Sequence, residues 1–236
     1  MDVITTATSP EVGALGASVA LLPVGSHEQH GDHLPLATDT IIASSIAAVL
    51  AERYRLLLLP PLTISCSHEH WAWPGTVSIR ATTLATVIKD VAESLHASGI
   101  DRLVIVNGHG GNYVLSNVVQ EATVAGPVMA LYPGRDDWNR ARVDAGLETT
   151  SHDDMHAGEL ETSLLLHLHP TLVRGSYADA DYDAPHRPHL LTLGMQAYTA
   201  SGVVGRPSAA SPAKGRALLE SLIASFRSSL RLLDPR

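Results

Sequence analysis

The stretch from Val24 to Asp39, VGSHEQHGDHLPLATD, carries three histidines and three acidic residues within sixteen positions. Just before it, residues 18–24 form a short apolar run that is typical of a buried parallel strand. Glu28 and His30 are two positions apart, so an extended chain projects them to the same side. Together with Asp39, in the first turn of the next predicted helix, they predict a divalent metal site. A glycine-broken loop with solvated charges is the alternative interpretation.

A second candidate is the NGHGGN motif at residues 107–112, which follows the clearest β-branched run of the chain, residues 100–106. Ligand sites of open α/β sheets lie at the strand ends, so we expect His109 to lie close to the first stretch. The glycines around it, Gly110 among them, suit a tight turn and close approach of the backbone to a bound substrate. The motif could instead bind a phosphate, but it lacks both a Walker lysine and the G-x-G-x-x-G spacing.

Residues 65–76, SCSHEHWAWPGT, are polar and irregular, and we predict a loop near the site. Trp71 and Trp73 lie in this loop and are two of the three tryptophans of the chain. We interpret them as walls of a substrate pocket. Packing beneath a lid is the alternative.

The elements that must position these residues alternate along the chain. Strands are predicted at 18–24, 56–59, 100–106 and 128–132, and helices at 38–54, 82–98, after the NGHGGN motif to residue 125, at 164–169 and at about 212–233. Residues 133–154 are too irregular to assign, and 174–215 are predicted to be a long loop. This alternation predicts an α/β fold with a mostly parallel sheet that is covered on both faces.

Composition limits the function further. The chain has 236 residues, 17% charged and 45% hydrophobic, as expected of one soluble globular domain over residues 1–236. Its net charge of −8 argues against nucleic-acid binding, and no apolar run reaches the length of a membrane span. Cys66 is the sole cysteine, which excludes an intrachain disulfide and favours a reducing compartment. Residues 1–13 show no signal peptide, so a cytoplasmic location is expected.

Five segments together resemble the creatininase family of metal-dependent amidohydrolases: GSHEQHGDHLPLATD, HEHWAWPGTVS, NGHGGN, HAGELETSLLLHLHP and SGVVGRPSAASPAKG. The resemblance implies a three-layer α/β/α sandwich, a pair of divalent metals and a homo-oligomer, usually a hexamer. Its members hydrolyse non-peptide or unusual C–N amide bonds in small molecules, and one branch cleaves a peptide in mycofactocin maturation. A mixed histidine and carboxylate site suits Zn²⁺, Mn²⁺ or Fe²⁺.

Four residues of this chain match metal ligands of the family. They are Glu28, His30, Asp39 and His109, with Asp39 in the place of the ligand that bridges the two metals. Members that hydrolyse creatinine have an acidic ligand at the position of Gly111. Glycine there leaves the ligand set one short, which argues against creatinine as the substrate.

We predict that Glu159 supplies the missing ligand and takes part in catalysis. His156, which matches a family histidine near the scissile bond, lies three positions before Glu159 and shares its face on a regular helix. Glu161 then points roughly 200° away from Glu159, toward the protein body. An irregular first turn at Gly158 would change these angles and leave Glu161 as the alternative ligand.

The predicted function is hydrolysis of a C–N amide bond in a small cyclic or linear amide by a metal-activated water, with His156 transferring the proton to the departing nitrogen. A peptidase of the mycofactocin-maturation type is one alternative. A metal-bound binding module without turnover is another, and a nucleotide-binding protein that uses the NGHGGN motif is a third.

Overall fold

Four parallel strands form the central sheet of the structure, a computed structural model that describes residues 5–126 and 128–233. In chain order they are β1 (Val19–Val24), β2 (Leu57–Leu58), β3 (Arg102–Asn107) and β4 (Met129–Tyr132). Their spatial order is β2-β1-β3-β4, and each pair of neighbours is parallel. The carboxyl ends of all four strands therefore lie at one edge, which confirms the predicted sheet.

Eight α-helices lie within the described residues: α1 (Ser9–Leu15), α2 (Thr38–Tyr54), α3 (Ala81–Ala97), α4 (Val114–Ala122), α5 (Arg135–Asp144), α6 (Glu159–Leu168), α7 (Leu190–Leu193) and α8 (Pro212–Leu233). The predicted helix at 38–54 is confirmed with the same bounds. The predicted loop at 174–215 is confirmed in part, since α7 and three short 3-10 turns interrupt it.

Strand β1 lies between two layers of helices because its side chains alternate between the faces of the sheet. Val19 and Leu21 pack in one core cluster with apolar residues of α2, α6 and α8. Ala20, Leu22 and Val24 pack in the other, with residues of α3 and α4. All six residues of β1 are buried, and each buried leucine side chain stabilises the fold by about 2 kcal/mol. This confirms the three-layer α/β/α sandwich.

Helix α5 lies inside residues 133–154, which the sequence left unassigned. Among its described residues only Ala141 is fully buried, so the apolar periodicity that identifies a helix is too weak there. The helix begins after Gly134, whose backbone N–H donates to the carboxylate of Asp137 at 2.9 Å. The start of α5 is therefore marked by a local capping hydrogen bond and not by a hydrophobic pattern.

The expectations about a signal peptide and about membrane spans can be compared with the structure only over the described residues. The expectation about a signal peptide rests partly on residues 1–4, which lie outside the described residues. Among the residues that the structure describes, no helix has both the length and the apolar character needed to cross a membrane.

Candidate metal centre

The loops after β1 and β3 meet the first turn of α2 at the carboxyl edge of the sheet. They bring together Glu28, His30, Asp39 and His109, each at most 5% exposed. His109 Nδ1 lies 3.1 Å from Asp39 Oδ2 and 3.2 Å from Glu28 Oε1, and His30 Nε2 lies 3.1 Å from Asp39 Oδ1. The convergence predicted for these four residues is therefore present in the structure.

Two glycines allow the loops to approach α2 this closely. A side chain at Gly25 would overlap the backbone of Thr40, and one at Gly108 would overlap the carbonyl oxygen of Asp39. Any larger residue at either position would push a loop away from the start of α2. Glycine is thus required for the distance between the ligand candidates.

Glu161 adds a third carboxylate to the cluster. Its Oε2 lies 3.8 Å from His30 Nε2 and accepts a hydrogen bond from the backbone N–H of Ala157 at 2.6 Å. Three groups have ligand atoms that all lie within 4.8 Å of one another: Glu28 with Asp39 and His109, His30 with Asp39 and Glu161, and Glu28 with His30 and His156. Asp39 belongs to the first two, as a residue that bridges two ions would.

Glu159 lies elsewhere, and the structure contradicts its prediction as a metal ligand and catalytic residue. Its buried carboxylate accepts hydrogen bonds from the backbone N–H of Glu148, from the N–H and hydroxyl of Thr149, and from Lys214 Nζ at 2.6 Å. The predicted spacing assumed a helix that contains His156, but α6 begins only at Glu159.

The turn before α6 explains why Glu161, and not Glu159, lies at the centre. Ala157 has a φ of 54°, and His156 pairs with Val204 as an isolated bridge, outside the helix. The rule that residues three apart share a face therefore does not apply to His156 and Glu159. Glu161, rather than Glu159, comes to lie with His156 near the centre.

Beside the centre lies a cleft of about 660 Å³, and Gly110, His109, His156 and Glu161 all line it. Aromatic and basic residues also line it, namely Tyr113, Arg135, Trp138 and Arg142, together with Pro133 and Asn139. Gly110 lines this cleft, and its predicted contact with the substrate stays a prediction.

The two tryptophans of the 65–76 loop are in different surroundings. Trp71 is 70% exposed and lines a second cleft of about 400 Å³, with Glu69 and Gly111. Trp73 instead lies beside His70, with ring centroids 6.3 Å apart. Their predicted role as walls of the substrate pocket stays a prediction.

The charges of the cluster set its protonation. Burial lowers the pKa of His30, but the carboxylates of Asp39, Glu161 and Glu28 outweigh it and raise the pKa to about 9. Burial also opposes the charge of His109, yet Glu28 and Asp39 raise its pKa well above the usual value. Burial raises the pKa of Glu161 to about 7. The cluster thus concentrates negative charge that attracts cations.

His156 is neutral by contrast. Burial, and after it the neighbouring His30 and His70, lowers its pKa well below the usual value. Its Nε2 donates to the backbone oxygen of Gln29 at 2.6 Å, which leaves Nδ1 with a free lone pair. A neutral imidazole that lines a cleft is suited to accept a proton and then return it.

Unpartnered oxygens test whether these residues fit metal ions. Among the residues that the structure describes, the buried Glu28 Oε1 and Asp39 Oδ2 have no hydrogen-bond partner. Leaving such carboxylate oxygens unpartnered is costly in a protein interior, and a bound cation removes that cost. Carboxylates and imidazoles also form the donor set of Zn²⁺, Mn²⁺ and Fe²⁺ sites. The residues therefore fit divalent ions.

Three residues of the centre were missed or misjudged from sequence: Glu161, His70 and Gln29. His70 Nε2 lies 3.4 Å from Glu28 Oε1, and burial lowers the pKa of His70 to about 3. His70 lies in HEHWAWPGTVS, one of the segments that carry the family resemblance. That membership was the sequence signal that could have identified it as a residue of the centre. Gln29, between two predicted ligands, offered no signal of its own.

Comparisons with known proteins identify the family of the chain. The family model for creatininase, described as creatinine amidohydrolase, matches residues 5–230. The mycofactocin precursor peptide peptidase of Mycobacterium ulcerans is 37% identical, over 92% of this chain and 86% of its own length. The creatinine amidohydrolase of Pseudomonas putida is 28% identical, over 92% and 90%. A solved structure described as "Creatininase Mn" superposes with a TM-score of 0.84 at 26% identity, over 100% of both chains. The chain belongs to the creatininase family of amidohydrolases, which act on C–N bonds.

Proposed function

We propose that this chain is a two-metal peptidase that hydrolyses one C–N amide bond of a precursor peptide of the mycofactocin type. The observation that carries the proposal is the pair of buried, unpartnered oxygens, on Glu28 and Asp39, within a cluster of histidines and carboxylates.

Two sets of residues would hold the ions. Glu28, Asp39 and His109 would hold one, and His30, Asp39 and Glu161 the other, so that Asp39 is common to both. When bound, a divalent pair lowers the pKa of water and polarises the amide carbonyl. The protein supplies the spacing, because the loop after β1 and the first turns of α2 and α6 bring the three carboxylates together.

His156 would move the proton. Its Nδ1 lone pair accepts the proton of the attacking water and delivers it to the nitrogen of the broken amide bond. This order requires a neutral imidazole at the start, as the lowered pKa of His156 provides. Positioned proton transfer of this kind contributes roughly 10²- to 10⁴-fold in rate.

Three observations favour a peptide over creatinine. Identity to the Mycobacterium ulcerans peptidase is 37%, against 28% to the Pseudomonas putida creatinine amidohydrolase. A side chain at Gly111 would also overlap the carboxylate of Glu69, so an acidic ligand there would require Glu69 to move. The cleft of about 660 Å³ has the size of sites that bury ligands larger than a single small ring.

The test compares both substrates on one preparation. Metal-loaded protein is incubated with a synthetic mycofactocin precursor peptide or with creatinine, and products are followed by mass spectrometry. We expect a shortened peptide, unchanged creatinine, and no cleavage after chelation or in His109→Ala. The matched control is His96→Ala, which removes a histidine that is 79% exposed and should leave cleavage unchanged.

Two results would contradict the proposal. Faster hydrolysis of creatinine than of the peptide would assign the chain to small cyclic amides. Full metal content with no hydrolysis of either substrate would instead indicate a binding module.

Several wider properties belong to the same proposal. The ions are Zn²⁺, Mn²⁺ or Fe²⁺, two per chain, and the manganese of a similar solved creatininase supports this range. The chain acts as one domain in a cytoplasmic homo-oligomer, a hexamer by its family. Metal analysis and light scattering on purified protein test the stoichiometry and the assembly.

A further inference from the structure

The Gln29 side chain lies between two histidines of the metal centre and has a defined orientation. Its Oε1 accepts the backbone N–H of Gly31 at 3.0 Å, so the NH₂ group must be on the other side. That NH₂ group donates to the Gly202 carbonyl at 3.2 Å and to His70 Nδ1 at 2.8 Å. A side chain at Gly202 would overlap the amide, so glycine makes room for it.

This orientation determines the tautomer of His70. An amide NH₂ group can only donate, so Nδ1 of His70 must accept, and the proton of a neutral ring is then on Nε2. Nε2 faces Glu28 Oε1 at 3.4 Å, and His70 is 3% exposed. A protonated ring nitrogen has no lone pair for a metal. His70 therefore presents an N–H to the centre and is not a ligand through this atom.

His156 has the same tautomer but the opposite orientation toward the centre, and Gln29 is again the cause. The backbone oxygen of Gln29 can only accept, so His156 Nε2 carries the proton. The lone pair of Nδ1 then lies 3.7 Å from the same Glu28 Oε1. The rings of His70 and His156 pack together with centroids 4.3 Å apart. One residue thus orients two adjacent imidazoles in opposite senses.

We propose that Gln29 assigns opposite roles to His70 and His156. Through its side chain it turns the Nε2–H of His70 toward the carboxylate of Glu28, and through its backbone carbonyl it reserves the Nδ1 lone pair of His156 for the proton of the reaction. This proposal rests on the proposed function for its catalytic consequence. Ser26 Oγ donates to the other carboxylate oxygen of Glu28 at 2.9 Å, so this carboxylate lies between a hydroxyl donor and the N–H of His70. Gln29 and His70 are positioning residues.

The first test reads the tautomers directly and needs no substrate. Long-range ¹H–¹⁵N NMR of the metal-free full chain, with imidazole nitrogens labelled, distinguishes protonated from unprotonated ring nitrogens. We expect the proton on Nε2 in both His70 and His156. In Gln29→Met, which has similar length but no donor, His70 should populate both tautomers while His156 keeps its own. A proton on Nδ1 of His70 or of His156 in the wild-type chain would overturn the proposal.

The second test measures the consequence with the precursor peptide as substrate. Gln29→Met should lower kcat by about 10- to 100-fold, with KM and metal content at wild-type values. The matched control is Gln196→Met, because Gln196 is exposed and its amide donates to Leu193; it should leave kcat unchanged. A fall in kcat that follows metal loss in proportion would overturn the positioning role.

A pair of variants at His70 keeps the test decisive if Gln29→Met fails to fold. His70→Gln retains an N–H near the place of Nε2, whereas His70→Met does not. We expect about tenfold higher kcat in His70→Gln than in His70→Met; equal values would overturn the proposal. If the wild-type chain cleaves neither the peptide nor creatinine, the proposed function is refuted. The NMR measurement still decides the tautomers in that case, because it needs no substrate.

Discussion

Glu159 and Glu161 are two residues apart in the first turn of α6, yet they serve different regions of the molecule. Glu159 is fully buried in an ion pair with Lys214 that joins α6 to α8. Glu161 faces His30 across 3.8 Å and belongs to one of the groups that could hold a metal ion. Helical geometry separates the two carboxylates, since positions two apart point to opposite sides.

The difference lies in how far each carboxylate is satisfied by its own chain. Glu159 accepts bonds from two backbone N–H groups, a hydroxyl and an ammonium group. Burial raises the pKa of Glu159, but these donors outweigh it and lower the pKa below the usual value. The pKa of Glu161 instead rises to about 7, chiefly through burial. Glu159, with four donors, stabilises the fold, whereas Glu161 accepts one backbone N–H and faces the metal centre.

The largest expected effect separates the two glutamates by metal content. Glu161→Gln should lose one of the two ions and lower activity by more than about 100-fold, since a direct ligand exceeds the usual effect of its surroundings. Glu159→Gln should keep both ions and at least half of the activity per folded molecule. Elemental analysis and peptide cleavage on both variants check this. The reverse pattern would restore the assignment of Glu159 as the ligand.

The next effect concerns stability on the Glu159 side. Lys214→Met leaves the buried carboxylate of Glu159 without its cation, and we expect a loss of about 2–3 kcal/mol in the free energy of unfolding. The matched control is Lys89→Met, which breaks the ion pair with Glu121; both side chains are more than half exposed. Such pairs contribute about 0–1 kcal/mol. Urea denaturation of both variants measures the difference, and equal losses would contradict a structural role for Lys214.

Much of the fold was predictable because burial leaves a periodic pattern. The helix at 38–54 has the predicted bounds, and the strands before both ligand-bearing loops were found from apolar runs. Glu28, His30, Asp39 and His109 followed, since parallel strands bring the loops after them to one edge. Local sequence and topology were sufficient for these residues.

The choice between Glu159 and Glu161 was not predictable in the same way. It depends on where α6 begins, and a positive φ at Ala157 decides this. It also depends on Lys214, which is 55 positions away from Glu159 along the chain. A backbone angle at a non-glycine residue and a distant ion pair leave no local pattern. The polar helix α5 was missed for a related reason, because few of its side chains reach the core.

A smaller expected effect is the pH dependence of the contribution that Glu159 makes to the free energy of unfolding. Because the pKa of Glu159 is lowered in the folded state, its stabilising effect is complete above the ordinary value of 4.5 and is lost as the pH falls through the lower folded value. The stability gap between wild type and Glu159→Gln should therefore be widest near neutral pH and shrink below about pH 4.5. Denaturation of the metal-free proteins at several pH values measures it. A gap that widens in acid would contradict the ionised, donor-satisfied state of Glu159.

The smallest expected effect is at the other end of α6. His169 follows this helix, and its Nε2 lies 3.2 Å from Ser45 Oγ, a single neutral hydrogen bond. A helix of ten residues is roughly 15 Å long, so its two ends cannot serve the same ion. His169→Ala should keep metal content and activity at wild-type values and cost at most about 1 kcal/mol of stability. Metal loss equal to that of Glu161→Gln would mean that the wrong end of α6 has been assigned to the centre.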